Sequence, residues 1–243
     1  MKARDLFQRG VGSAIAGAIL LFFSVSAGTA WAQSKNLAPG FSNLPAGAKI
    51  VVMPTDIELY LISAGGVPEP KADWTESATK YFKAALVEKK KSMGATAIDL
   101  GEKDADEFAE INTLHAAIAN SISAHHFGPG FLQLPTKEGK LDWSLGDPVR
   151  AVKKKTGADY ALFTWIRDSY ASGERIAATI LLALVGVGMA PGGLQQGYAS
   201  LVDLNTGQVV WFNRLFRGSG DLREPDKAAE VLNALLANFP SPK

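Results

Sequence analysis

Apolar and polar positions along this chain fall into stretches of two different periods. Residues 49–53 (KIVVM) form a short apolar run that reads as a strand, stopped or bulged at Pro54. Over residues 56–62, Ile57, Leu59 and Leu61 alternate with Asp56, Glu58 and Tyr60, so this stretch can extend the strand. Residues 63–70 (SAGGVPEP) read as a loop. From Asp73 the period becomes that of a helix, with Trp74, Ala78, Tyr81, Phe82, Ala85 and Leu86 on one face. Asp73 is placed to cap that helix, and Glu76 three residues on completes a capping-box-like pair. The helix is expected to end near Gly94, followed by a second short strand over residues 95–100.

A second helix is expected from about 104 to 126, with Phe108, Ile111, His115, Ile118 and Ile122 on its inner side and Gly128-Pro129-Gly130 ending it. Residues 131–145 read as loop with a short edge strand at 131–134, and Asp147-Pro148 opens a third helix that stops at Gly157. The rest of the chain is organised around residues 158–217. ADYALFTWIRDSY and GYASLVDLNTGQVVWFNRLFR read as three neighbouring strands. Asn205-Thr206-Gly207 closes the last two into a hairpin, with Gly207 supplying a positive φ. Pro225 opens a final helix with Ala228, Val231, Leu232, Leu235 and Leu236 facing inward. This order predicts the α/β class: a three-layer sandwich with a central mixed β-sheet and a C-terminal β-hairpin followed by a helix, in one domain over 49–243.

Inside that domain lies an insert over 174–194 whose residues 176–190 are apolar almost all round, including Ile176, Ile180, Leu181, Leu184, Val185 and Met189. Three readings stand open. It is a buried helix covering the sheet, a patch for self-association or a partner, or a peripheral contact with a membrane face, for which a Lys- or Arg-bearing polar side is missing. At about 15 residues it is short for a spanning helix.

The first residues carry an export pattern. Lys2, Arg4 and Arg9 make a basic leader, residues 11–25 an apolar core, and Ala30-Trp31-Ala32 a cleavage site, so residues 1–32 read as a cleaved signal peptide and 33–48 as a flexible lead-in. The expected location is the periplasm or outer envelope. The chain has no cysteine, which excludes disulfides, a thiol nucleophile and a covalent lipid anchor. A net charge of +1 gives no basis for binding nucleic acid. The runs Lys89-Lys90-Lys91 and Lys153-Lys154-Lys155 sit at expected helix C-termini, where they complement the dipole.

Candidate chemistry is sparse. His115, His125 and His126 are the only histidines, and their spacing suits hydrogen-bonded core or edge residues better than a metal set. No G-x-S-x-G occurs, and Gly186-Val-Gly188 lacks the third glycine of a dinucleotide loop. No cofactor or metal is expected. Asp73 and Glu76 are accounted for as helix capping. Asp56 and Glu58, with Arg167 and Asp168 near the ends of neighbouring strands, form the alternative site for a small molecule or glycan, or more weakly for a carboxylate-based hydrolase.

The phrases at 157–165 (GADYALFTW) and 201–211 (LVDLNTGQVVW), with a first strand ending at Pro54, resemble bacterial envelope proteins related to the curli-secretion lipoprotein and the TolB amino-terminal domain. That resemblance implies a three-layer α/β protein that acts by binding and assembly, with no catalytic residues to carry over. The chain departs from many members in lacking the lipid-bearing cysteine. The expectation is a non-enzymatic envelope protein that binds other envelope proteins and itself through the apolar insert.

Overall fold

The computed structural model describes residues 35–100, 102–187, 193–218 and 220–243. The expected signal peptide over 1–32, and Gly188, Met189 and Pro191 of the insert, lie outside the described residues.

The sheet is built around β5 (Tyr160–Ala171). Its alternating residues are apolar on both faces, which suits a strand covered on both sides. Along one edge runs β6 (Gln195–Asp203), antiparallel from Tyr160↔Asp203 to Asp168↔Gln195. The other edge takes two parallel strands in succession, β1 (Lys49–Val52) opposite Tyr160 to Leu162 and β2 (Asp56–Ile62) opposite Trp165 to Ala171. Three residues, Met53, Pro54 and Thr55, thus stand against two, Phe163 and Thr164. The first strand is therefore extended through a bulge, as its alternation suggests, and Pro54 occupies the bulge where its missing N–H costs no ladder bond.

Beyond β2 lies β3 (Pro68–Pro70), antiparallel to it, and beyond β1 lies β4 (Thr96–Asp99), parallel to it. β7 (Val209–Arg217) completes the seven-stranded mixed sheet outside β6. The β6–β7 turn has Gly207 at φ +76°, and a Cβ there would lie 2.3 Å from the Gly146 carbonyl oxygen. Only glycine fits this position.

Helices cover both faces. α1 (Ala72–Lys91) and α6 (Pro225–Leu235) pack Phe82, Leu86, Val231, Leu232 and Leu235 onto Ile50, Leu59, Leu162, Ile166 and Trp211. On the opposite face, α2 (Glu102–Glu107) leads into α3 (Ala109–His125). Phe108, Ile111 and Ile122, with Val152 of α4 (Arg150–Thr156), meet Val51, Phe163, Val202 and Phe212. The result is the expected three-layer α/β sandwich, with a hairpin and a helix at its C-terminus. The last helix, α5 (Gly173–Leu184), leaves the end of β5 and contributes no side chain to either core.

Several local expectations are corrected. Asp73 does not cap α1. The N-cap is Lys71, which makes no side-chain capping bond, and Asp73 sits in the first turn, where its charge still meets the helix dipole. The single helix expected over 104–126 is two helices broken at Phe108, whose side chain turns into the core. No Pro or Gly marks that break. Part of the loop at 63–70 is β3. Val67 bonds to Ser63 just past β2 and Lys71 to Leu59 within it, so the prolines between them fall on the outer edge, where a missing N–H is harmless. The edge strand expected at 131–134 is replaced by 3₁₀ turns at Gly130–Leu132 and Pro135–Lys137. The lead-in is pinned rather than free from Asn36 onward. Phe212 N–H donates to Asn36, Ala38 N–H donates to Val210, and Leu44 bonds across to residues 241 and 243.

Candidate functional site

The buried reading of the insert does not hold. Each sheet face already has its core, packed under α1 and α6 on one side and under α3 and α4 on the other, and α5 is left outside both. The helix is nonetheless well started: the Ser172 side chain accepts the Arg175 N–H at 3.1 Å, a regular N-cap. Thr179 faces inward, donating its hydroxyl to the Arg175 carbonyl, and the Arg175 guanidinium lies beside the turn at Gly66. The remaining surface is apolar and open. Ile176 and Ile180 are exposed, and Leu181, Val185 and Leu184 are 65%, 74% and 78% exposed. Five of the six residues singled out in the insert thus share one solvent-facing helix and its C-terminal turn; the sixth, Met189, lies outside the described residues.

The alternative site is assembled in part. Strand alternation places Asp56, Glu58 and Tyr60 of β2 on the same sheet face as Trp165 and Arg167 of β5, and as Gln196 and Tyr198 of β6. Arg167 donates to Asp56 at 2.7 and 3.1 Å and lies 3.1 Å from Glu58, while the Tyr60 hydroxyl donates to Glu58. The bond to Glu58, followed by burial, raises the Tyr60 pKa. Burial works to lower the Arg167 pKa, but the bond to Asp56 and the charges of Asp56 and Glu58 outweigh it and hold the pKa above its ordinary value. The guanidinium stacks over Trp165 at 4.7 Å, and Trp165 stacks on Tyr198 at 5.1 Å. This part of the sheet is open, with Phe216 of β7 64% exposed, and a hollow of about 330 Å³ is lined by Tyr60, Pro68, Arg167, Leu194 and Gln196. The aromatic partners Trp165 and Tyr198 are missed by the sequence reading, although their strand positions carry them to this face.

Asp168 does not join the cluster. It follows Arg167 in an extended strand and therefore points to the opposite face, where it is buried. There it accepts the Tyr170 hydroxyl at 2.5 Å and the Gln195 amide at 2.7 Å. Gln195 in turn accepts from Arg217 at 2.8 Å, and the Tyr170 oxygen accepts the Leu222 N–H at 3.0 Å. Burial raises the Asp168 pKa. Arg223 closes the group, 3.8 Å over the Tyr170 ring and paired with Asp221 at 2.6 Å. The network ties the segment after β7 to the sheet, which is a structural role.

The histidines are separated. His115 is buried, stacked on Phe163 at 3.9 Å and 2.5 Å from the Ser200 hydroxyl. His126 meets the Lys35 carbonyl and His125 the Leu132 carbonyl. All three are hydrogen-bonded, as expected of core or edge residues. Among the described residues no group of three His, Asp or Glu could hold a metal ion, and no helix is long and apolar enough to cross a membrane.

No protein-family model and no curated protein matches the sequence. Solved structures with similar folds include the PelC dodecamer from Paraburkholderia phytofirmans, at 13% identity and TM-score 0.41 over 84% of this chain and 96% of that one. The LpoB C-terminal domain from Salmonella enterica is similar at 12% identity and TM-score 0.30, over 75% of this chain and 88% of that one. Lipoprotein GNA1162 from Neisseria meningitidis is similar at 14% identity and TM-score 0.31, over 79% and 94%. At these scores the likeness carries no functional argument, and function is argued from the surface of this chain.

Proposed function

We propose that this chain is an exported protein of the bacterial cell envelope that acts by binding and assembly rather than catalysis, and that copies of it join through α5. The observation that carries this reading is the solvent-facing run of Ile176, Ile180, Leu181, Leu184 and Val185 on a capped helix. A helix apolar on nearly every side is stable in water only when another surface covers it. A membrane fits that role less well. Twelve residues make a helix roughly 18 Å long, well short of a bilayer core of roughly 30 Å. The helix also carries one basic residue, Arg175, which is half-buried against the turn at Gly66, so it lacks the cationic flank that holds an interfacial helix on lipid. A second copy offers the same apolar surface and no unpaired charge. Export rests on the leader pattern of Lys2, Arg4, Arg9 and Ala30-Trp31-Ala32. The exclusion of catalysis is supported by Asp56 and Glu58, which both share their charge with Arg167, and by Asp168, which is buried in a structural network.

Light scattering on residues 33–243 tests the proposal. A discrete oligomer is expected in buffer alone, and Leu181→Asp with Leu184→Asp is expected to reduce it to monomer with an unchanged circular dichroism spectrum. A wild-type chain that stays monomeric at tens of micromolar, with or without detergent, overturns it.

A further inference from the structure

On the face covered by α1, the bulge at Met53, Pro54 and Thr55 leaves a gap that no described side chain fills. β1 and β4 are parallel and both end here, at Val52 and Asp99, so the gap opens at the carboxyl ends of two adjacent strands. Ligands in α/β sheets favour that position, because chains leaving the strands diverge and expose backbone and side chains to a common crevice. The cleft measures about 320 Å³, within the range of small-molecule sites. Its floor and walls are apolar: Val52, Met53, Leu86, Val87 and Leu100. Val87 is half-exposed on α1, with no described residue covering it.

The polar groups at the rim are unequal in charge. Lys90 is mostly buried and its ammonium is held by Asp99, which takes both out of play. Lys83 also lines the cleft, and neither an ion pair nor a hydrogen bond occupies its ammonium among the described residues. Thr79 stands one turn before it on the same face of α1, and across the cleft the Thr55 hydroxyl accepts from Thr164, which leaves its own proton to donate. Among the described residues the cleft therefore offers an apolar body, one uncompensated cation and hydroxyl donors, with no free carboxylate. We propose that it binds a small aliphatic carboxylate, with the chain lying along Val52, Leu86, Val87 and Leu100 and the head group on Lys83. Neither α5 nor self-association enters into this site.

Octanoate and its neutral counterpart octanol are suitable probes, followed by the methyl resonances of Val52, Leu86 and Val87 in the intact mature chain. Octanoate is expected to shift these methyls to saturation and to bind about tenfold more tightly than octanol, the factor that one charge-assisted hydrogen bond contributes. Lys83→Ala is expected to bring octanoate down to the octanol level and Lys83→Arg to retain most of the difference. Val87→Asp, at a half-exposed position that tolerates a polar side chain, is expected to abolish both. Shifts confined to the methyls of α5, no saturation, or undiminished octanoate binding by Lys83→Ala would each overturn the assignment.

Discussion

His115 lies on the inner face of α3 between Phe163 and Ser200, and burial alone pushes its pKa down to about 3. The folded protein therefore keeps this imidazole neutral while the unfolded chain protonates it below about pH 6.5. The resulting stability is fully present above pH 6.5 and is lost as the pH falls from there toward 3. Its slope is about 1.4 kcal/mol per pH unit, or roughly 3 kcal/mol by pH 4. Urea denaturation of wild type and His115→Gln across pH 7 to 4 measures this, and the variant is expected to lose that part of the acid slope. An identical slope in both proteins would show that His115 contributes nothing to it. The apolar neighbours Phe108, Ile111, Ile118 and Ile122 make this burial legible in the sequence. The separation of Asp168 from Arg167 is equally legible, because consecutive residues of a strand face opposite ways. Trp165 and Tyr198 meet only through the register of β5 against β6, a long-range pairing that local pattern does not encode.

Among the elements, the seams of period carry most information. The strands at 49–52, 96–99, 160–171 and 195–217 and the inner faces of α1 and α6 follow from alternation and helical spacing. The break at Phe108 and the strand β3 do not, since the first lacks any breaker residue and the second is rich in residues that normally exclude strands. α5 shows a different limit. Hydrophobicity states that a surface should be covered, but not by what, so an apolar run reads alike whether its cover is the same chain or another. That difference is measurable in the stability of the monomer. Leu162 is fully buried at the centre of β5, and Leu162→Ala is expected to cost about 3 kcal/mol, whereas Leu181→Ala on α5 is expected to cost under about 1 kcal/mol. Denaturation midpoints at concentrations low enough to dissociate any oligomer report the two values. Comparable losses at both positions would place Leu181 in a core.

At the scale of the molecule, the sandwich is complete without its insert. α1 and α6 pack a core on one face of the sheet and α3 and α4 a core on the other, while β5 and β6 are already adjacent at Ser169 and Leu194, whose backbone and hydroxyl groups bond directly. The connection between these antiparallel neighbours could be a tight turn, yet the chain spends more than twenty residues on it. A net charge of +1 gives little electrostatic repulsion to keep such apolar surfaces apart in solution. On the proposed reading the insert is an addition for contact, not a support for the fold. Excising residues 174–192 and joining the ends with a short Gly/Ser segment should leave a cooperative fold. Because the described residues among those lost contribute no side chain to either hydrophobic core, the melting temperature should change by no more than about 4 °C, equivalent to about 1 kcal/mol for a chain of this size. The same excision should abolish association in light scattering. A protein that no longer folds would mean that α5 supports the sheet, and one that folds but still associates would move the interface elsewhere, with the exposed Phe216 on the open sheet face as the next surface to test.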